Sequence, residues 1–256
     1  MDSFKKNLLV FDVNTDDIIV ADMEELIKES SEEGERLNKY LALRLGISRR
    51  EADDMIAEGR VLVEGETVKL GRRILPGEQI KLDGELVDAK KDFVYLVMNK
   101  PVGYVSSRKA QGEGVKTLYE LLPKKYHELK TVGRLDKESS GLILLTNDGD
   151  FTYRMTHPKF RKVKIYEVRL NKDLEPLHQQ MIADFGVTLA DGKSQLGLER
   201  MNDGRWRVMM SEGRNRQIRR TFRALGYEVM DLHRTNFGVW ELDEMGDGEF
   251  REVEIK

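Results

Sequence analysis

The chain has 256 residues, 39% hydrophobic and 35% charged, and a net charge of −3. That length suits two small domains or one large one, and that mix suits a globular protein with a heavily charged surface. The absence of cysteine excludes disulfides and thiolate metal sites, and the four histidines (His127, His157, His178, His233) have no paired spacing, so no metal centre is expected and a reducing cytoplasm is the natural setting.

No apolar run approaches the roughly 20 residues a membrane helix needs, and Met1 to Ser30 lacks the layout of a signal peptide. Residues 1–33 carry ten acidic and three basic side chains, so the rest of the chain is net basic and can meet phosphate if its cations share a face. In this acidic extension Leu8 to Val13 reads as a strand and Asp22 to Glu29 as a helix.

Leu37, Tyr40, Leu41 and Leu45 then recur at helical spacing, with Gly46 as the stop. Ser48-Arg49-Arg50-Glu51 is a capping box before a second helix, Ala52 to Glu58, ended by Gly59. A strand and tight turn follow over Val61 to Val68, and Pro76-Gly77-Glu78 introduces a strand from Gln79 to Leu82. The bases of this stretch are interleaved with acids (Glu51, Asp53, Asp54, Glu58), so charge alone fits a solvated surface as well as an RNA-reading one. However, Arg36-Leu37-Asn38-Lys39-Tyr40-Leu41 together with Ser48-Arg49-Arg50-Glu51-Ala52-Asp53 and Ile56 resembles the S4 RNA-binding domain. The resemblance implies a small α/β module over residues 34–84 that contacts RNA backbone through Arg36, Lys39, Arg49 and Arg50.

Residues 85–92 read as a linker, and 93–256 as a second domain. It opens on the buried-strand pattern Val94 to Met98, followed by Asn99-Lys100-Pro101-Val102-Gly103. Next comes Gly133-Arg134-Leu135-Asp136, a Gly-bounded loop before the apolar strand Leu142 to Leu145 and the polar turn Thr146-Asn147-Asp148-Gly149. A carboxylate at the mouth of such a strand is fixed by the sheet behind it, which suits a nucleophile or a base. Lys164 to Val168 alternates as a strand, with Lys164, Tyr166 and Val168 on one face. From Arg216 to Leu225 the projection is that of an amphipathic helix: Arg216, Arg219, Arg220 and Arg223 on one side, Ile218, Phe222 and Leu225 opposite, Gly226 as the stop. Irregular mixing of strands and helices points to an α+β fold with a mostly antiparallel, mixed sheet.

The Gly-Arg-Leu-Asp loop, the Asn-Lys-Pro-x-Gly turn, Tyr166 and the Gln217-Ile218-Arg219 helix are motifs of the ribosomal RNA pseudouridine synthases of the RsuA/RluB/RluE/RluF family, which the chain resembles from about residue 35 to 251. Thr221, where Met is common, and the acidic extension are mild departures. The resemblance implies an isomerase that converts a uridine of rRNA to pseudouridine. Asp136 would be the catalytic residue, attacking the sugar or removing a proton. Arg134 would fill the gap left by the extruded base, Tyr166 would lie against the uracil, Ile218 would touch it, and Arg219 would pair with Asp136. Arg216 and Arg220 remain for phosphate. The net change is an isomerisation, so no metal, redox cofactor or energy source is expected. The implied partner is rRNA, and the implied state a cytoplasmic monomer. The alternatives are a non-catalytic S4-type ribosome assembly factor and, more remotely, a glycoside hydrolase, for which no second carboxylate stands out.

Overall fold

The computed structural model describes residues 34–87, 93–110 and 112–254; the strand expected at 8–13 and the helix expected at 22–29 lie outside the described residues. These residues form two compact units, divided between residues 91 and 92.

In the first unit, helix α1 (Leu37–Leu45) ends where Gly46 takes the left-handed conformation, and helix α2 (Arg49–Ala57) starts at the expected capping box. The Ser48 hydroxyl accepts from the Glu51 amide, and the Glu51 carboxylate accepts from the Ser48 amide. The helix therefore begins three residues before the expected Ala52, because the box fixes Ser48 as the cap. Strands β1 (Val61–Val63), β2 (Glu66–Thr67), β3 (Ile80–Leu82) and β4 (Glu85–Leu86) form a sheet in the order β2-β1-β3-β4. Leu37, Leu41, Ala52, Ile56, Val61, Val63 and Ile80 fill the core between helices and sheet.

The reading of 85–92 as linker departs from this. Asp83 and Gly84 both have positive φ, which closes a tight hairpin and sends β4 back along β3. Val87 is buried and its amide donates to the Ile80 carbonyl, so the first unit extends at least to residue 87.

The second unit is built on a nine-stranded sheet. Its strands are β5 (Tyr95–Lys100), β6 (Lys130–Val132), β7 (Ser140–Thr146), β8 (Lys164–Leu170), β9 (Gly197–Arg200), β10 (Trp206–Met210), β11 (Val229–Phe237), β12 (Trp240–Glu241) and β13 (Phe250–Val253). The order is β9-β10-β8-β11-β7-β5-β13, with β6 against β7 and β12 against β11. Every pair is antiparallel except β7 with β11, which makes the sheet mixed and mostly antiparallel, as expected.

One face carries the larger core, including Leu96, Met98, Ile143, Leu145, Tyr166 and Val168; Leu142 and Leu144 join a second core with Val97, Phe151 and Met155. A strand buried on both faces explains the unbroken apolar run from Leu142 to Leu145. The polar residues after it do more than turn the chain. Asp148 caps helix α3 (Gly149–Thr156), accepting from the amides of Asp150 and Phe151. Helix α4 (Gln217–Ala224) buries Ile218 and Phe222 and leaves Arg223 exposed, in accord with its amphipathic pattern.

Candidate active site

Asp136 lies in the loop between β6 and β7, and side chains and backbone from several segments hold that loop by its own backbone. The Ser106 hydroxyl accepts from the Leu135 amide at 3.1 Å and donates to the Leu135 carbonyl at 2.9 Å. The Gly103 amide donates to the Lys137 carbonyl at 2.8 Å, and the Lys100 ammonium to the Ser139 carbonyl at 2.6 Å. Arg219 donates to the Glu138 carbonyl at 2.7 Å. The Asn-Lys-Pro-x-Gly turn is thus the bracket that holds the carboxylate loop. Lys100 is fully buried, and burial pushes its pKa down to about 8, against the opposing pull of Asp136 and Glu138.

A cavity of about 390 Å³ opens beside Asp136. Loop residues 133–136 form one wall and residues 211–218 another, while Lys164 and Tyr166 of β8 and Arg234 and Phe237 of β11 complete it. Burial grades through it. Arg134 is exposed, the Asp136 and Arg216 side chains are about one-third exposed, Tyr166 is buried, and Arg234 is 1% exposed. The first group marks the mouth and the last the floor. Ile218 is buried and lines the cavity from the first turn of α4.

The pairing expected between Arg219 and Asp136 is not what the geometry gives. Arg216 holds that place, 3.6 Å from the Asp136 carboxylate and 2.6 Å from that of Glu138. The cause is local backbone. Arg216 has φ +46 just before α4, which directs it from the helix start towards the loop, whereas Arg219, one turn on, donates to the Glu138 and Val229 carbonyls. Ile218 and Arg219 are about 100° apart on the helix, and Ile218 is the one that lines the cavity. Arg219 still feels the charge of Asp136, as does Lys100, so the carboxylate faces cations on several sides.

Arg220, expected on phosphate, places both terminal nitrogens on Asp191 at 2.9 and 2.7 Å; Arg214 joins the same carboxylate at 3.1 Å. That cluster ties α4 to the segment around Asp191. In the first unit, Arg36 and Arg50 are exposed. Arg49 donates to Asn38, which donates to Asp53, joining the start of α1 to α2, and Lys39 lies 3.4 Å from Glu35. His157 accepts from the Lys159 amide and so caps the short turn that follows α3. Among the described residues no cluster of His, Cys, Asp and Glu could hold a metal ion, and no helix is long and apolar enough to cross a membrane.

Lys164 and Arg234 were not among the expected site residues. Lys164 carried a sequence signal, sharing a strand face with Tyr166. Arg234 carried one too, since Leu232-His233-Arg234-Thr235-Asn236-Phe237-Gly238 resembles the family's Leu-x-Arg-x-x-x-Gly element, which suggests a part in the pocket floor; β8 and β11 bring it to the cavity by pairing Tyr166 with Arg234.

Comparison with known proteins accords with this geometry. Residues 94–224 match the RNA pseudouridylate synthase family, and residues 35–80 match the S4 domain. An RNA pseudouridine synthase from Aquifex aeolicus, itself described as uncharacterized, is 38% identical over 85% of this chain and 92% of its own length. The ribosomal large subunit pseudouridine synthase B of Bacillus subtilis is 34% identical over 86% and 92%, and the ribosomal small subunit pseudouridine synthase A of Yersinia pestis 35% identical over 84% and 93%. A crystal structure of a pseudouridylate synthase, 33% identical, superposes with a TM-score of 0.62 and covers 86% of this chain and 96% of that one. The chain belongs to the RNA pseudouridine synthase family and carries an S4 domain ahead of the synthase fold; it is an isomerase of RNA uridine.

Proposed function

We propose that the protein converts one specific uridine of ribosomal RNA to pseudouridine in the cytoplasm, as a monomer, with Asp136 as the reacting carboxylate and no cofactor. The observation that carries this reading is the placement of Asp136 at the mouth of a cavity that the buried Tyr166 and Ile218 also line. A uridine turned out of its helix would enter with its base against Tyr166 and its sugar beside Asp136. Unstacking a nucleotide costs a few kcal/mol, roughly, and Arg134, exposed at the mouth, supplies a planar side chain to occupy the gap. Asp136 then acts on the sugar, by attack on C1′ or by removing the C2′ proton. Arg216 balances its charge, and Arg219 and Lys100 hold its loop. Arg36, Lys39, Arg49 and Arg50 of the S4 domain would seat the enzyme on RNA backbone.

Relatives are named for both ribosomal subunits, so the target uridine is found by experiment. Pseudouridine mapping across all rRNA, with and without the gene, is expected to show one position lost on deletion. Restoring the gene as Asp136→Asn is expected to leave that position unmodified while the protein folds and binds rRNA normally. Full modification by the Asn variant would reject the carboxylate's role.

A further inference from the structure

Two cations from paired strands line the cavity, Lys164 half-buried and Arg234 buried. Lys164 and Arg234 both line it, and the Lys164 ammonium and Arg234 guanidinium lie 5.0 and 4.9 Å from the centroid of one ring, Phe237. The two strands bring them together. Lys164 pairs with Phe237 and Tyr166 with Arg234, with a register slip between Ile165 and Tyr166 that absorbs one extra residue of β11.

Among the described residues the hydrogen-bond partners of both cations are backbone carbonyls, and neither is ion-paired to a carboxylate. Lys164 donates to the carbonyls of Lys162 and Glu212, both bonds long at 3.4 Å. Arg234 donates through Nε to the Leu142 carbonyl at 2.7 Å, while its Nη2 is buried without a partner. A buried guanidinium nitrogen left unpaired is costly unless something fills the site. Two cations in one cavity, the charge of Arg234 felt by Lys164, call for negative charge.

We propose that Lys164 and Arg234 receive the negative charge that collects on the uracil when its bond to the sugar breaks. This rests on the reading above that the base lies against Tyr166, the cross-strand neighbour of Arg234. When C1′–N1 breaks, its electron pair leaves on the base, and the charge spreads over N1, O2 and O4. The sugar is balanced by Asp136, through a bond from its carboxylate to C1′ or by uptake of the C2′ proton. After the base turns, C5 bonds to C1′, Asp136 returns to its first state, and the C5 proton is replaced by one on N1. Preorganised cations in a partly desolvated site favour charge that exists only during the reaction. Phosphates belong at the mouth, where Arg134 and Arg216 are open to solvent.

Burial and the neighbouring Arg234 push the Lys164 pKa down to about 8. Guanidinium groups stay charged throughout. The charged groups around the ammonium are Arg234 on β11, Glu212, Arg214 and Arg216 from the 211–216 wall, and Arg134 and Asp136 from the loop, with Lys100 behind it also at about 8. Loss of the Lys164 proton removes the cation, so the rate falls as pH rises through about 8.

The test is single-turnover pseudouridine formation by the full chain on rRNA transcribed in vitro, followed from about pH 6 to about pH 10, alongside RNA affinity at several salt concentrations. Lys164→Met is expected to slow the reaction by about 100-fold or more, with RNA affinity and its salt dependence unchanged. Lys164→Arg is expected to keep most of the rate and lose the fall centred near 8.

Weaker RNA binding by Lys164→Met with a shallower salt slope and an unchanged rate would overturn the proposal in favour of a phosphate-binding role. An unchanged rate and affinity would overturn it outright, as would a fall with the same midpoint near 8 persisting in Lys164→Arg, which would then belong to Lys100; ionisation of uridine N3–H sets in above that midpoint and is common to every variant. If Lys164→Met does not fold, the Lys164→Arg profile decides alone. Asp136→Asn run in parallel separates the two readings: a fully active Asn variant rejects the carboxylate's role whatever Lys164 does.

Discussion

A single hydroxyl sets the position of the residue before Asp136. Ser106 is nearly buried and satisfies both the amide and the carbonyl of Leu135. Alanine there leaves two backbone groups without that partner, at a cost of about 1–3 kcal/mol. The loop would relax, and displacement of a reacting group by an ångström can cost about 100-fold in rate. Ser106→Ala is therefore expected to lower the melting temperature and to slow single-turnover pseudouridine formation by roughly 10- to 100-fold, with rRNA affinity kept. A variant with an unaltered rate would show that Gly103, Lys100 and Arg219 hold the loop without it. The same logic separates Arg216 from Arg219: the first touches the carboxylate, while the second acts through the backbone that carries it.

At the scale of elements, the cavity depends on how closely β7 and β11 approach. Their parallel register pairs Ser140 with His233 and Gly141 with Arg234. Gly141 has φ +103, and a Cβ built on it would overlap the backbone nitrogen and oxygen of Arg234. Only glycine lets the strand from the Asp136 loop run this close to the strand bearing Arg234. Gly141→Ala combines a disfavoured φ with a backbone clash and is expected to destabilise the second unit by more than about 3 kcal/mol. Chemical denaturation followed by tryptophan fluorescence would measure this, since Trp206 and Trp240 both lie in this unit. An unchanged unfolding midpoint would contradict the close approach.

At the scale of the whole molecule, the net charge of −3 hides a division of labour: an acidic extension precedes a body with basic clusters. Arg36 and Arg50, two of the exposed arginines of the S4 domain, are suited to phosphate, which positions an enzyme without reading sequence. Replacing both with alanine is expected to weaken rRNA binding and to lower the slope of log affinity against log salt by about 0.7–0.9 for each phosphate no longer neutralised. The single-turnover rate at saturating RNA should stay as in the wild type. A changed rate with unchanged affinity would place these arginines in a different role.

Local signals in the chain determined the elements and the order of the motifs. Capping at Ser48, the stop at Gly46, the alternation around Tyr166 and the amphipathic face of α4 are all short-range patterns, and the structure follows them. The Asp83-Gly84 hairpin was equally legible, and reading 85–92 as linker overlooked its turn chemistry. Pairings made across long sequence separations were settled by the tertiary structure alone. A helical projection gives the angle between Ile218 and Arg219 but not which wall each one meets. Only the positive φ of Arg216 and the packing of α4 beside the 133–139 loop put Arg216 on Asp136. Likewise, the Leu-x-Arg-x-x-x-Gly resemblance marks Arg234 without giving its neighbour, and only strand register, fixed by pairing across the sheet, sets it opposite Tyr166.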